Sequence, residues 1–350
     1  MKRITMNEIA KAAGVSKNTV SLALRNDPQL PEHTRQRIQK LADEMGYQLN
    51  PVIGQLMAQL RASNSPDTPQ ATLALINGNT DPEAFKKHPT IPAYVEGCKR
   101  RAHKRGYGLD YFWLHDPELN GERLNRILKA RGIRGILIVG MMNSNRLPSQ
   151  FNATWEQYPA VVTGVRTRQP ALSFASTDHH IVAMRALERA IALGYQRPAL
   201  VLDHVIDELV EGRFSSGYTI AQRNLPRKNH LPTYSEIVRP QGDLTGFSKW
   251  LEAEKPDVIL TLYNRVRSDL EKLGYECPED IGLIQLEWRK DQPEWAGMNQ
   301  HNDIVGEAAV DMVISMIHNN ERGVPDFPRA TLISGTWVDG QTVRPRKASD

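Results

Sequence analysis

Thr5-Met-Asn-Glu-Ile-Ala-Lys-Ala-Ala-Gly14-Val-Ser16-Lys-Asn-Thr-Val-Ser-Leu-Ala-Leu24 decides how the rest of this chain is read. Thr5 and Glu8 stand three apart, the spacing of a capping box, in which each side chain satisfies a backbone N–H at a helix start. Ile9, Ala10 and Ala13 form one apolar stripe, so the spacing predicts a short helix. Gly14 supplies a turn geometry that other residues reach only at a cost. Ser16 can cap a second helix, in which Val20 with Ala23 or Leu24 faces inward and Lys17, Asn18, Ser21 and Leu22 point out. Helix, tight turn and helix make a helix-turn-helix, whose second helix fits the DNA major groove.

Charge placement agrees. Residues 1–61 hold nine basic and five acidic side chains, a net +4, and the whole chain is also +4. The remainder is therefore neutral, as expected of a phosphate-contacting head on a neutral body. No apolar run approaches the length of a membrane span; mean hydropathy is -0.48, and Gly135-Ile-Leu-Ile-Val-Gly140 reads as a buried strand. The beginning of the chain shows no signal-peptide pattern. Cys98 and Cys277 then read as reduced thiols of a cytoplasmic protein. No metal-ligand spacing is present, and the adjacent His179 and His180 suit a helix start better than chelation. No cofactor motif appears.

A third helix is expected from Pro31 to Gly46, with Ile38, Leu41, Ala42 and Met45 inward. A short helical segment at 52–60 and a polar, proline-containing linker follow. From Ala71 the pattern becomes alternating strands and helices. Strands are expected at 72–76, 109–113, 136–139, 160–163, 199–202, 236–238, 258–262 and 281–286. Helices are expected at 91–105, 119–131, 181–193, near 213–223, at 243–254 and at 304–318. Repeated βα units imply parallel sheets flanked by helices. Two cycles, the second opening at Ala160, suggest two doubly wound lobes with a ligand cleft between them.

These residues resemble the LacI/GalR family of bacterial transcriptional regulators. In the head, Thr5-Met6, Ile9-Ala10, Ala13-Gly14-Val15-Ser16, Thr19-Val20-Ser21, Thr34-Arg35, Gly46-Tyr47 and Asn50-Pro51 fall at the family's spacing. Along the rest, Glu96-Gly97, Gly106-Tyr107, Asp178, Leu193-Gly194-Tyr195, Pro256-Asp257, Pro278-Glu-Asp-Ile-Gly282 and Ala308-Ala309 match its landmarks. The resemblance implies an all-α DNA-binding head over 1–49, a hinge helix over 50–62 and a linker over 63–71. It also implies a two-lobed core like periplasmic binding proteins over 72–340, with a polar tail over 341–350. A homodimer on a palindromic operator and a small effector in the cleft belong to the same expectation.

By that resemblance, Lys17 and Asn18 occupy base-reading positions, and Leu22 stands where an arginine is common. Thr5, Ser16, Thr19, Ser21 and Thr34 match phosphate-contacting positions, and Arg25 replaces a common asparagine. Asn50 and Leu56 match the hinge, where the leucine wedges into the minor groove. The effector positions depart from the pattern. Asn264-Arg265 replaces Asn-Asp, Glu287 matches an aspartate, Gly164 stands near another, and Arg213 is one place displaced. Strand ends and helix starts put Asn79, Thr80, Asp81, Arg213, Asn264, Arg265, Glu287 and Trp288 around the cleft. Arg166, Arg213 and Arg265 favour a ligand with a carboxylate or phosphate, and Trp113 and Trp288 could stack on a ring. The overall expectation is a regulator, a repressor in sign, and not an enzyme. The rivals are a solute-binding protein without a regulatory role and a regulator whose core only dimerises. The tail holds no heptads, so a dimer is expected and not a tetramer.

Overall fold

The computed structural model describes residues 4–24, 27, 29–45, 47, 71–236 and 242–346. The expected hinge helix and linker, the Gly46 helix end and most of the strand expected at 236–238 lie outside those residues. Next to the last of these, Tyr234 forms a parallel bridge with Val201.

The head is three helices, α1 (Met6–Ala13), α2 (Lys17–Leu24) and α3 (Glu32–Glu44). Their apolar stripes close on one another: Ile9, Val20, Ala23 and Ile38 are fully buried. So small a core needs help, and α3 supplies it with polar side chains. Arg37 donates to the Ala13 carbonyl at 3.3 Å, Gln39 to the Ala23 carbonyl at 2.8 Å and Arg35 to the Leu30 carbonyl at 3.0 Å. The first two of these bonds satisfy carbonyls at the ends of α1 and α2 that the helices cannot satisfy themselves, and the third holds the loop before α3.

The core has two lobes. The first is a six-stranded parallel sheet in the order β10-β5-β4-β3-β1-β2. These strands are β1 (Ala71–Asn77), β2 (Tyr107–Trp113), β3 (Ile136–Val139), β4 (Ala160–Thr163), β5 (Ser173–Thr177) and β10 (Ala330–Ile333). Helices α4 (Ile91–Lys104) and α11 (Asn302–His318) cover one face and α5 (Gly121–Ala130) the other. β3, β4 and β5 are buried throughout, as strands covered on both faces must be.

The second lobe is a five-stranded sheet in the order β11-β9-β8-β7-β6. Its strands are β6 (Pro198–Val201), β7 (Val258–Thr261), β8 (Gly282–Gln285), β9 (Ala296–Asn299) and the antiparallel edge β11 (Thr336–Val338). Helices α6 (His179–Ala192), α7 (His204–Leu209), α8 (Arg213–Ala221), α9 (Thr245–Glu254) and α10 (Arg265–Lys272) complete it. Asp203 caps α7 through the Val205 N–H at 2.7 Å, and Asp178 caps α6 through the Ile181 N–H at 3.3 Å. No described helix is long and apolar enough to cross a membrane.

Three features correct the sequence reading. The second lobe does not open at Ala160: β4 pairs with β3 and β5 in the first sheet, and the chain crosses only after β5. Strands β5, β9, β10 and β11 were not expected: each is short, and β10 and β11 pair with strands far earlier in the sequence. Residues 341–346, read as polar tail, are joined to the second lobe. Thr342 is buried, donates to the Leu283 carbonyl at 2.7 Å and accepts from the Ala296 N–H at 2.9 Å. Arg346 donates its N–H to the Leu193 carbonyl at 2.7 Å.

The chain passes between the lobes three times, at Asp178, at Gln300-His301 and at Ser334-Gly335. The crossings are tied together: the Asp178 N–H donates to the Ile333 carbonyl at 2.9 Å, and Thr177 Oγ1 to the Gln300 carbonyl at 3.1 Å. α4 and α11 meet backbone to backbone. A Cβ at Gly97 would stand 1.8 Å from the Asp303 carbonyl oxygen, and one at Gly306 would stand 2.2 Å from that of Tyr94. Arg100 pairs across this seam with Asp303 at 2.8 Å and Glu307 at 2.6 Å. The apolar faces of these two helices are thus taken up inside the lobe.

Candidate nucleic-acid interface and interlobe cavity

The turn between α1 and α2 is built as the sequence implies. The Thr5 N–H donates to Glu8 Oε2 at 2.7 Å, and the Glu8 N–H returns to Thr5 Oγ1 at 3.4 Å, so both halves of the capping box form. Gly14 holds a left-handed φ of 67°, which a β-carbon would strain. Ser16 Oγ accepts from the Thr19 N–H at 3.0 Å and lies 2.8 Å from Thr19 Oγ1, capping α2.

With Val20 and Ala23 inward, α2 presents Lys17 and Asn18 exposed at its N-terminal end, and Ser21 and Leu22 half-buried beside them. Thr34 is half-buried near the start of α3, its hydroxyl 3.1 Å from His33 Nε2. Of the expected DNA contacts, Thr5, Ser16 and Thr19 already have intramolecular roles as helix caps or cap partners. Arg25, Asn50 and Leu56 lie outside the described residues. What α2 offers is a positive charge and an amide at the end of a helix, next to small hydroxyls and one leucine. Such an end can reach base edges, and the amide can bond both donor and acceptor positions of adenine.

Between the lobes lies a cavity of about 550 Å³. Asn264, Arg265 and Glu287 line it, as expected. Asn79, Asp81, Arg213 and Trp288 do not. Asn79 is buried in a neighbouring recess, where it donates to the Gly140 carbonyl at 3.2 Å and accepts from the Asp81 N–H at 2.9 Å. Asp81 is exposed. Trp288 borders a recess on the other side of Glu287. Arg213 lies over the Phe174 ring at 5.6 Å and donates Nε to the Val210 carbonyl at 2.8 Å. Arg166 lies over the same ring at 5.2 Å and pairs with Glu211 at 3.5 Å. Trp113 donates its indole N–H to the Asn79 carbonyl at 2.9 Å and lies outside the cavity.

The rest of the wall was not read from the sequence. Met141 and Met142 come from the loop after β3, Leu209 and Val210 from the end of α7, Phe214 from α8 and Leu262 from the end of β7. Met141, Met142 and Leu262 follow strands and Phe214 opens a helix, the positional rule already used for the polar residues, whereas Leu209 and Val210 close one. Applied to polar groups alone, it missed the apolar majority.

Polar groups of the wall are largely engaged by the protein. Glu287 is buried; its Oε1 accepts from Asn302 Nδ2 at 2.8 Å, and its Oε2 from Thr90 Oγ1 at 3.1 Å and Arg289 Nη2 at 2.9 Å. This carboxylate therefore joins the second lobe to Thr90 and Asn302 of the first. Gln300 donates Nε2 to the Leu286 carbonyl at 2.8 Å. Two histidines line the cavity and both are held neutral. Burial, with the Arg213 charge adding to it, lowers His179 to about 3. Burial also lowers His88, against the pull of Glu287, and His88 Nδ1 accepts from the Thr90 N–H at 3.1 Å at the start of α4. Burial pushes the Tyr94 phenol well above its ordinary value and that of Tyr263 to about 12. Among the described residues no group of acidic, histidine or cysteine side chains could hold a metal ion.

Comparison with known proteins follows this division. Residues 5–50 match the family described as bacterial regulatory proteins, lacI family. The chain is 22% identical over 198 residues to the HTH-type transcriptional regulator MalR of Streptococcus pneumoniae, a match covering 57% of this chain and 56% of that protein. It thus spans little more than half the length of that relative. Among solved structures, a transcriptional regulator CelR–cellobiose complex is 19% identical with a TM-score of 0.59, covering 97% of this chain and all of that one. The lac repressor dimer bound to operator and the anti-inducer ONPF is 18% identical with a TM-score of 0.56, covering 98% of this chain and all of the other. The head of three helices thus matches the lacI family of bacterial regulatory proteins, and the two-lobed α/β core shares the fold of these regulators.

Proposed function

We propose that this protein is a transcriptional repressor that binds a palindromic DNA operator as a homodimer and responds to a small effector held between its lobes. The observation that carries the reading is α2, whose N-terminal end projects Lys17 and Asn18 from a head otherwise locked by caps and by α3. Phosphate contacts from the basic head supply affinity, and Lys17 and Asn18 supply base discrimination. Arg25, Thr34, Ser21 and the hinge residues Asn50 and Leu56 complete the expected footprint. Each head alone binds weakly, and a dimer joins two half-sites. An effector that alters the fit of the lobes changes DNA affinity, a coupling typically worth about 1–3 kcal/mol. In support, the three lobe crossings are hydrogen-bonded to one another, and Glu287 bridges both lobes at the edge of the cavity. No catalytic step is assigned.

Selection from random duplex DNA with the purified chain tests this reading. The expected result is an inverted repeat, bound with an affinity that falls as salt rises by about one unit of slope per phosphate contact. Sedimentation should give the mass of two chains on the selected duplex. Absence of sequence preference, or an affinity indifferent to salt, would overturn the DNA reading.

A further inference from the structure

Two buried polar side chains of this cavity have no hydrogen-bond partner among the described residues. Tyr94, on α4 of the first lobe, is 3% exposed, and its hydroxyl bonds to none of them. Gly164, at the end of β4, faces that hydroxyl: a β-carbon there would stand 3.3 Å from the phenol oxygen. With no side chain at Gly164, the hydroxyl stays open to the cavity that both residues line. His179, the first residue of α6 in the second lobe, is 5% exposed and lies with its ring 4.6 Å from that of Phe214. Its Nδ1 is sealed in the protein without a partner, and its ring borders the cavity.

The protonation of these groups decides what they offer. Burial keeps the proton on the Tyr94 phenol, and burial with the Arg213 charge keeps the His179 imidazole neutral. A neutral imidazole carries its proton on one nitrogen and a lone pair on the other. Orphaned buried N–H groups are rarer than orphaned acceptors, so the sealed Nδ1 holds the lone pair and Nε2 the proton. Each lobe then supplies one uncharged donor.

The other polar groups of the wall are already engaged. Glu287 accepts from Thr90, Asn302 and Arg289, Gln300 donates to a backbone carbonyl, and Asn264 Oδ1 accepts from the Gln285 amide. Arg265 lies over the Tyr263 ring at 5.9 Å and is itself engaged within the protein. Arg166 and Arg213, which suggested an anionic ligand in the sequence, lie on Phe174 and do not line the cavity. A carboxylate seated here would lose its water without meeting an uncompensated cation, and a polyhydroxylated ring would turn hydroxyl groups onto Met141, Met142, Leu209, Val210 and Leu262. Thioethers and aliphatic side chains instead contact carbon well.

We infer, resting on the reading of the cleft as an effector site, that its ligand is an uncharged, largely apolar molecule bearing a carbonyl or similar acceptor oxygen, held by the Tyr94 hydroxyl of one lobe and the His179 Nε2–H of the other. The cavity of about 550 Å³ lies within the range of small-molecule sites.

Isothermal titration of the full-length protein tests this with four sets of probes. The first is acetophenone, coumarin and 2-octanone. The second is ethylbenzene and naphthalene, which keep the carbon body and lack the oxygen. The third is benzoate and octanoate, and the fourth glucose and cellobiose. The expected result is that at least one carbonyl compound binds, and that the anions and sugars bind at least tenfold more weakly. Tyr94→Phe and His179→Phe should each weaken the carbonyl compounds about three- to tenfold, the worth of one neutral hydrogen bond, and leave the hydrocarbons as tight as in the parent. Tyr94→Phe removes a hydroxyl that the fold does not use, so it should fold as the parent does, which circular dichroism checks. An equal loss for carbonyl compounds and hydrocarbons in Tyr94→Phe would overturn the inference, as would an anion or a sugar binding more tightly than every carbonyl compound; either leaves the effector reading standing. Silence from all four sets would overturn the inference and the effector reading together.

Discussion

The head and the interlobe cavity use their polar side chains in opposite directions. On α2, Lys17 and Asn18 face solvent, while the groups that hold the head together act on helix ends: Thr5, Glu8 and Ser16 from the ends themselves, Arg37 and Gln39 from within α3. In the cavity polar groups hold the lobes together, and mostly carbon faces the empty space. One surface turns hydrogen-bonding and charged groups toward solvent. The other is built to bury carbon. The two regions should therefore fail separately under mutation, and they should answer differently to salt.

The largest expected effect lies in the core. Gly97→Ala places a β-carbon 1.8 Å from the Asp303 carbonyl oxygen, so α4 and α11 must separate and the layer beneath them must loosen. A cost of about 3 kcal/mol is expected, at the upper end for overpacking. In urea denaturation the core transition should move to lower denaturant, with the helical signal of the head unaffected. A core transition at the parental midpoint would show that this seam does not hold the first lobe.

Acidity should separate the regions next. His179 has a folded value of about 3 against an ordinary value near 6.5. The unfolded chain then binds more protons between those values, so stability falls as pH falls. From pH 7 to pH 5 the loss should be about 2 kcal/mol from this residue, and His179→Phe should remove it. Equal pH dependence in parent and variant would show that His179 is not held neutral by the fold.

The smallest effect is in the head. Thr5→Ala removes one side of the capping box and should lower head stability by about 1 kcal/mol. DNA affinity should weaken in proportion, without a change in base preference. A changed preference would make Thr5 a direct DNA contact and not only a cap.

How much of this was legible beforehand follows the range of the interactions. Caps, turn glycine and helical stripe act within four residues, so α1, α2 and their orientation could be read directly from residues 5–24. The short, mainly apolar runs in β3, β4, β7 and β8 were equally plain. Which lobe β4 joins was not, because pairing with β3 and β5 depends on contacts across the sheet. β10 and β11 are four and three residues long, and each joins a strand far earlier in the chain, β5 and β9 respectively. In the cavity, Asn264, Arg265 and Glu287 were found because their types suggested binding. Met141, Val210 and Phe214 were not, because carbon in a cleft and carbon in a core look alike in sequence. Arg213 looked like a ligand contact, and the fold places it on Phe174 instead.

The central claim is that α2 reads bases while the core does not. Binding of the parent, Lys17→Ala, Asn18→Ala and Leu22→Arg should be measured on the selected duplex and on its full set of single-base variants, across a salt titration. Lys17→Ala and Asn18→Ala should each lose about 1–3 kcal/mol at particular base pairs and little elsewhere. Leu22→Arg should gain a preference for guanine at one position, and the salt slope of Asn18→Ala should equal that of the parent. If all three variants follow the parent in parallel across every duplex, α2 does not read the operator and the account is wrong at its centre.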